Sequence, residues 1–168
     1  MKHIFYHLAA VMVVVVWGMT FISTKVLIVH GLSPQEIFLF RFLLAYAAVC
    51  PISFHRFFAR NLKDELYLVG GGVLGGSLFF FLQNMALGLT QASNVSFIIC
   101  TTPLLTAALT VLSVRTEKLS RGFIHGSIVA LLGVGLLIFN GSFILRISPL
   151  GDLLTLLASL SWAFYSLV

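Results

Sequence analysis

Six uninterrupted apolar stretches dominate the chain and leave it few ways to fold. Residues 7–29, 34–54, 66–89, 93–114, 121–139 and 150–168 each run for about 19 to 24 residues, close to the ~20 that carry a helix across a ~30 Å hydrocarbon core. Apolar residues follow one another instead of alternating, which is the pattern of membrane helices and not of a transmembrane β-barrel. The expected fold is all-α: a polytopic membrane helix bundle of about six transmembrane helices, with the lipid bilayer as its solvent. Composition agrees, since 60% of the 168 residues are hydrophobic and 9% are charged, with a mean hydropathy of +1.09. A water-soluble domain of this length needs far less to fill its core. The first stretch follows Lys2 but is too long for a signal peptide and lacks a small-x-small cleavage pattern, so it reads as the first span. Cys50 and Cys100 fall inside spans two and four, where a structural disulfide is not expected.

The formal charge of +5 does not point to nucleic acid, because the basic residues are spread along the connections and form no patch interleaved with aromatics. Their distribution encodes topology. Lys2, Arg56, Arg60, Lys63, Arg115, Lys118 and Arg121 fall on one side, against Arg146 alone in the connections of the other. The positive-inside rule places the N-terminus in the cytoplasm, and six crossings return the C-terminus to the same side.

The longest connections are about ten residues, so function must reside in the bundle. Aligning Trp17 with Trp162 sets Gly18 against Ala163 and Thr20 against Tyr165, after apolar runs in both cases. The offset of 145 residues spans five helices. Because five is odd, a helix repeating span one at that distance crosses the membrane in the opposite direction, as in the inverted repeats of secondary transporters. The alternative, that tryptophan is simply common in membrane helices, stands beside this reading.

Polar residues at membrane depth supply the candidate site. Counting ~1.5 Å per residue from the span ends places Lys25, Arg41, Gln83 and Asn84 in the outer half of the membrane, where ionisable groups cost a few kcal/mol unless they face protein or water. They are expected to line a shared cavity. Lys25 lies near the end of its helix and can also snorkel, while Arg41 can instead cap carbonyls inside the bundle. Near the midplane lie Trp17, Gly18, Pro103, Trp162 and Tyr165. Pro103, in the string CTTPLL, removes a backbone hydrogen bond and predicts a kink that Thr101 and Thr102 can relieve. The tryptophans are too deep for an interfacial belt, so they read as pocket wall or helix packing. Aromatic walls with few polar groups suit amphipathic metabolites or cations. The run GGGVLGGS at 70–77 has small-xxx-small spacing and predicts close helix approach, and His125 is read as a structural histidine before a proton relay.

Five segments in register carry a family resemblance: WGMTF in span one, SPQEIFLFRFLLA at span two, NMALGLTQASNVSFI across the third loop, TTPLLTAAL in span four and GVGLLIF in span five. Together they resemble the EamA-type drug/metabolite transporter superfamily. The resemblance implies an alternating-access transporter of ten helices in two inverted five-helix repeats around a central cavity, typically an inner-membrane exporter of amino acids, metabolites or toxic compounds. Residues 7–139 would form one repeat and 150–168 the first helix of a truncated second. By motif, Trp17, Phe21, Arg41, Asn84, Pro103 and Trp162 match recurring family positions and are expected to line the cavity, joined by Lys25, Gln83 and Tyr165. The expected partner is a small-molecule substrate, with no cofactor or metal. Helices seven to ten have no counterpart here, so the expectation is an N-terminal fragment inactive alone, completed by its C-terminal half or by a homodimer.

Two other function classes compete. An intramembrane enzyme finds no support, because neither G-x-S-x-G nor H-E-x-x-H occurs and a lone His with scattered Ser gives no base–nucleophile spacing. A half-size membrane subunit that assembles with a partner without transport is the alternative that the glycine-rich third span would serve.

Overall fold

The computed structural model describes residues 2–53, 59, 61–113, 119–139 and 148–167, without the side chains of residues 2, 3 and 137–139. The described residues form six helical spans: α1 (Lys2–Val29), α2 (Pro34–Ser53), α3 (Leu62–Leu89), α4 (Ala92–Ser113), α5 (Arg121–Phe139) and α6 (Pro149–Tyr165). The expected helical membrane bundle is what the chain forms. The first four spans are long and apolar enough to cross a membrane, whereas α5 is apolar over the shorter Arg121–Leu136 and α6 has 17 residues. Arg56, Arg60, Arg115, Lys118, Arg146 and the Lys2 side chain, on which the charge count of the connections rested, lie outside the described residues.

Burial is inverted relative to a soluble protein. Val13, Val14, Val15 and Val16 are each more than half exposed, a surface that lipid covers without the hydrophobic penalty it would meet in water. The interior is small and holds Phe21, Ala86, Leu87 and Val95, with Trp17, Ile28, Ile99 and Leu154 against them. α6 lies at the centre, packed against α3 and both halves of α4.

Local chemistry sets the joints. α1 ends in a Schellman turn: Leu32 N–H donates to Leu27 O at 3.1 Å and Gly31 N–H to Ile28 O at 3.1 Å. Gly31 sits at φ +99°, a conformation that a side chain would strain. Ser33 and Glu36 then form a capping box, with Ser33 N–H donating to Glu36 Oε2 at 2.8 Å and Glu36 N–H to Ser33 Oγ at 3.3 Å, and Pro34 in the first turn.

Two spans are irregular within the membrane. α3 widens to a π-helical stretch over Gly72–Leu78, which the glycines permit and which occurs mostly as short local insertions. There Leu74 O accepts the Ser161 hydroxyl of α6 at 2.8 Å, and a Cβ on Gly75 would lie 2.5 Å from Cγ of Tyr165. The glycine-rich run thus permits close approach, and what approaches is an aromatic ring. α4 breaks at Cys100–Thr101 between its segments Ala92–Ile99 and Thr102–Ser113. Pro103 starts the second segment, and Thr101 Oγ1 donates to Ile98 O at 2.6 Å, so a side chain satisfies backbone at the break.

Candidate substrate cavity

The break in α4 and the aromatic side chains of α1, α3 and α6 enclose one space. Trp17 lies 5.4 Å from Trp162 and 6.4 Å from Phe79, ring centre to ring centre, and Phe79 lies 4.8 Å from Trp162. Such tilted and edge-on pairs are the favoured aromatic geometries. The three rings wall a cavity of about 850 Å³ that continues along Cys100, Thr102, Pro103 and Ala107 of α4 and Gly122, Gly126, Ser127 and Ala130 of α5. That volume is in the range of small-molecule sites. α5 touches the first half of α4, where a Cβ on Gly135 would lie 3.7 Å from Phe97. A second cavity of about 790 Å³ runs along α3 past Asp64, Tyr67, Gly72, Phe80 and Tyr165, and Trp162 lines both.

The sequence-derived candidates divide among these places. Trp17, Pro103 and Trp162 line the larger cavity, and Tyr165 lines the second. Phe21 is buried in the small core one turn from Trp17. Arg41 stands over the Phe80 ring, its guanidinium carbon 5.1 Å from the ring centre, a cation–π pairing on the far wall of α3. Gln83 and Asn84 are 0% and 1% exposed, and none of their side-chain amide atoms has a hydrogen-bond partner among the described residues. Neither residue is among those lining the two cavities.

Lys25 sits elsewhere for a clear reason. Its Nζ donates to Leu87 O at 2.6 Å and to Thr90 O at 2.8 Å, the carbonyls that the last turn of α3 leaves without helical partners. A cation at a helix C-terminus also meets the negative end of its dipole. Lys25→Met keeps the stem and removes both charged hydrogen bonds, and should cost about 2–3 kcal/mol. Thermal unfolding in detergent reads that loss, and an unchanged midpoint would remove the capping role.

Several lining residues escaped the sequence reading: Phe79, Cys100, Thr102 and the α5 face. Spacing held a signal for two of these. Phe79 shares a face of α3 with Gln83 (i, i+4), and Gly122, Gly126 and Ala130 repeat at the same interval on α5. His125, between them, is exposed and is not among the lining residues.

Chemically, the larger cavity offers aromatic faces, hydroxyls, a thiol and an indole N–H, with no Asp, Glu, Lys or Arg among its lining residues. No curated protein and no solved structure gives a significant match to the chain. The sequence profile of the EamA-like transporter family matches residues 4–139, which takes in α1 to α5. A membrane helix bundle enclosing a substrate-sized cavity is the architecture that a transporter requires, and the chain belongs to the EamA-like transporter family.

Proposed function

We propose that this chain carries the substrate cavity of an alternating-access exporter of small apolar or amphipathic molecules in the cytoplasmic membrane. The observation that carries the reading is the 850 Å³ cavity, walled by Trp17, Phe79 and Trp162 beside the break in α4. Family membership supports transport of a small molecule across a membrane. Residues 7–139 act as one five-helix repeat, and α6 is the first helix of a second, inverted one. The charge distribution supports an N-terminus in the cytoplasm. α6 packs at the centre, so a movement of the second repeat against the first is felt where Trp162 meets Trp17. A second copy or the remaining helices of the second repeat complete the moving partner.

Cells expressing the transporter that contains this chain should retain less of its substrate within a panel of aromatic amphiphiles. Trp17→Ala and Trp162→Ala should each cut that export by about tenfold, because each removes a stacking wall. Export by both variants at the normal rate, with normal protein levels, would overturn the assignment of this cavity.

A further inference from the structure

Buried polar groups without partners among the described residues recur beside the aromatic wall and in the α3–α6 interface behind it. The register of α3 and α6 is set at both ends: Ser161 Oγ donates to Leu74 O at 2.8 Å, and a Cβ on Gly151 would lie 2.9 Å from Thr90 Cβ. Counting inward between these antiparallel contacts brings Gln83 and Asn84 opposite Thr155, one turn from Ser159. Ser159 is 0% exposed and its hydroxyl has no partner among the described residues, like both amides of α3. Thr155, in contrast, donates to Gly151 O at 2.8 Å. The second segment of α4 packs on α6 and contributes Thr102, 7% exposed, whose Oγ1 is also without a partner. From α1, the Trp17 indole N–H is buried and unpartnered too.

Thr102 and Trp17 line the cavity directly. Gln83 is one turn beyond Phe79 on α3, and Ser159 is one turn from Trp162 on α6, so the remaining groups stand immediately behind the aromatic wall. An unpaired amide or hydroxyl in a lipid-embedded interior is costly, and a native bundle keeps few of them. Five neutral side chains on the cavity wall and in the α3–α6 interface behind it therefore point to something that pairs with them. Their chemistry defines it: amides and hydroxyls both donate and accept, and the indole only donates. Lys25 is occupied by two carbonyls. Arg41 lies over the Phe80 ring with its Nη1 unpartnered among the described residues, and Asp152 Oδ1 is unpartnered too, but neither residue lines the larger cavity, whose lining carries no charge.

We propose that these groups select an uncharged substrate head that both donates and accepts hydrogen bonds, such as a carboxamide, on an apolar body that fills the cavity. Trp17 and Thr102 meet the head first. Gln83, Asn84 and Ser159 continue the same chemistry into the α3–α6 interface, so a neutral head finds successive partners. This inference rests on the cavity reading above and adds the substrate class to it.

Binding of radiolabelled 4-phenylbutanamide to the purified chain in nanodiscs tests the idea. The competitors are its hydrocarbon isostere, with an isopropyl group in place of the amide, and 4-phenylbutylammonium, all compared at equal membrane concentration. The amide should bind at least ~10-fold more tightly than either, the scale of one satisfied hydrogen-bonding group. Thr102→Val and Asn84→Leu should each bring that preference close to one. Both variants should keep or raise the unfolding temperature, because they replace unpartnered polar groups with apolar ones of similar shape. Two variants guard against one failing to fold. Equal affinity for all three compounds would overturn the proposal, as would tighter binding of the ammonium, or a lower unfolding temperature in both variants with the amide preference intact. The cavity reading is separated by Gly126→Leu: a Cβ there meets nothing within 4 Å, so the side chain grows into the cavity. If all three compounds bind equally and Gly126→Leu blocks them all, the cavity stands and the head-group selection falls. If none binds, both fall.

Discussion

Gly75→Ala should be the most damaging alanine substitution among the described glycines, lowering stability by about 2–3 kcal/mol through overpacking. The added Cβ would lie 2.5, 2.7 and 2.8 Å from Cγ, Cδ2 and Cδ1 of Tyr165. Those atoms are the root of a rigid ring and not the tip of a flexible chain, so the ring must leave its rotamer or α6 must move. A shift of α6 would strain the adjacent bond from Ser161 to Leu74 O and loosen the helix from the π-helical stretch of α3. Neighbouring glycines provide the controls. At Gly71 the nearest Tyr165 atom is 3.4 Å from the added Cβ, an ordinary contact, and at Gly72 nothing lies within 4 Å. Gly72→Ala should therefore be neutral or stabilise by up to about 1 kcal/mol through helix propensity. Thermal unfolding of the three alanine variants orders them directly. The pair Gly75→Ala with Tyr165→Ala should recover more stability than the sum of the single changes allows; simple additivity would show that the ring is not the obstacle.

The second large effect is on function, with the fold left intact. Gly126→Leu places a side chain in the open space between α4 and α5, where the cavity continues past Cys100 and Thr102. Export should fall by about tenfold or more, since a filled site loses most of the ligand's burial. The unfolding temperature should hold, because no packed atom is displaced and glycine is the weaker helix former. Gly133→Leu, on the same helix but not among the cavity-lining residues, also meets nothing within 4 Å and should leave export unchanged. Equal losses from the two substitutions would mean that α5 is sensitive to bulk anywhere along its length and would detach the effect from the cavity.

The spans were legible because lipid imposes one rule on every residue of a crossing helix, and runs such as Val13–Val16 obey it without tertiary help. The break in α4 was legible for a similar reason: Pro103 lacks an N–H wherever it sits. The placing of Trp17 and Trp162 beside each other was anticipated only as an echo along the chain, and their stacking across the cavity is tertiary. Contacts over long separations were not legible. Lys25 reads as a charge near a helix end, and only packing brings it to Leu87 and Thr90, more than sixty residues away. Arg41 likewise needs Phe80 to be understood. The glycine-rich run announces close approach, but whether a helix backbone or a ring fills it depends on the register with α6, which no local pattern records. The π-helical stretch has the same origin, a local widening accommodated by Tyr165 and Ser161.

The central claim is that the space bounded by Trp17, Phe79 and Trp162 is a water-accessible substrate path. The chain's two cysteines allow a direct test. Cys100 lines the cavity and Cys50 of α2 lines neither cavity. In native membranes, a membrane-impermeant cationic methanethiosulfonate should modify Cys100 in the Cys50→Ser protein faster than it modifies Cys50 in the Cys100→Ser protein, because the reactive thiolate forms only where water reaches it. Adding Gly126→Leu should slow the reaction at Cys100. Modification of Cys100 no faster than that of Cys50, or indifferent to Gly126→Leu, would contradict the account.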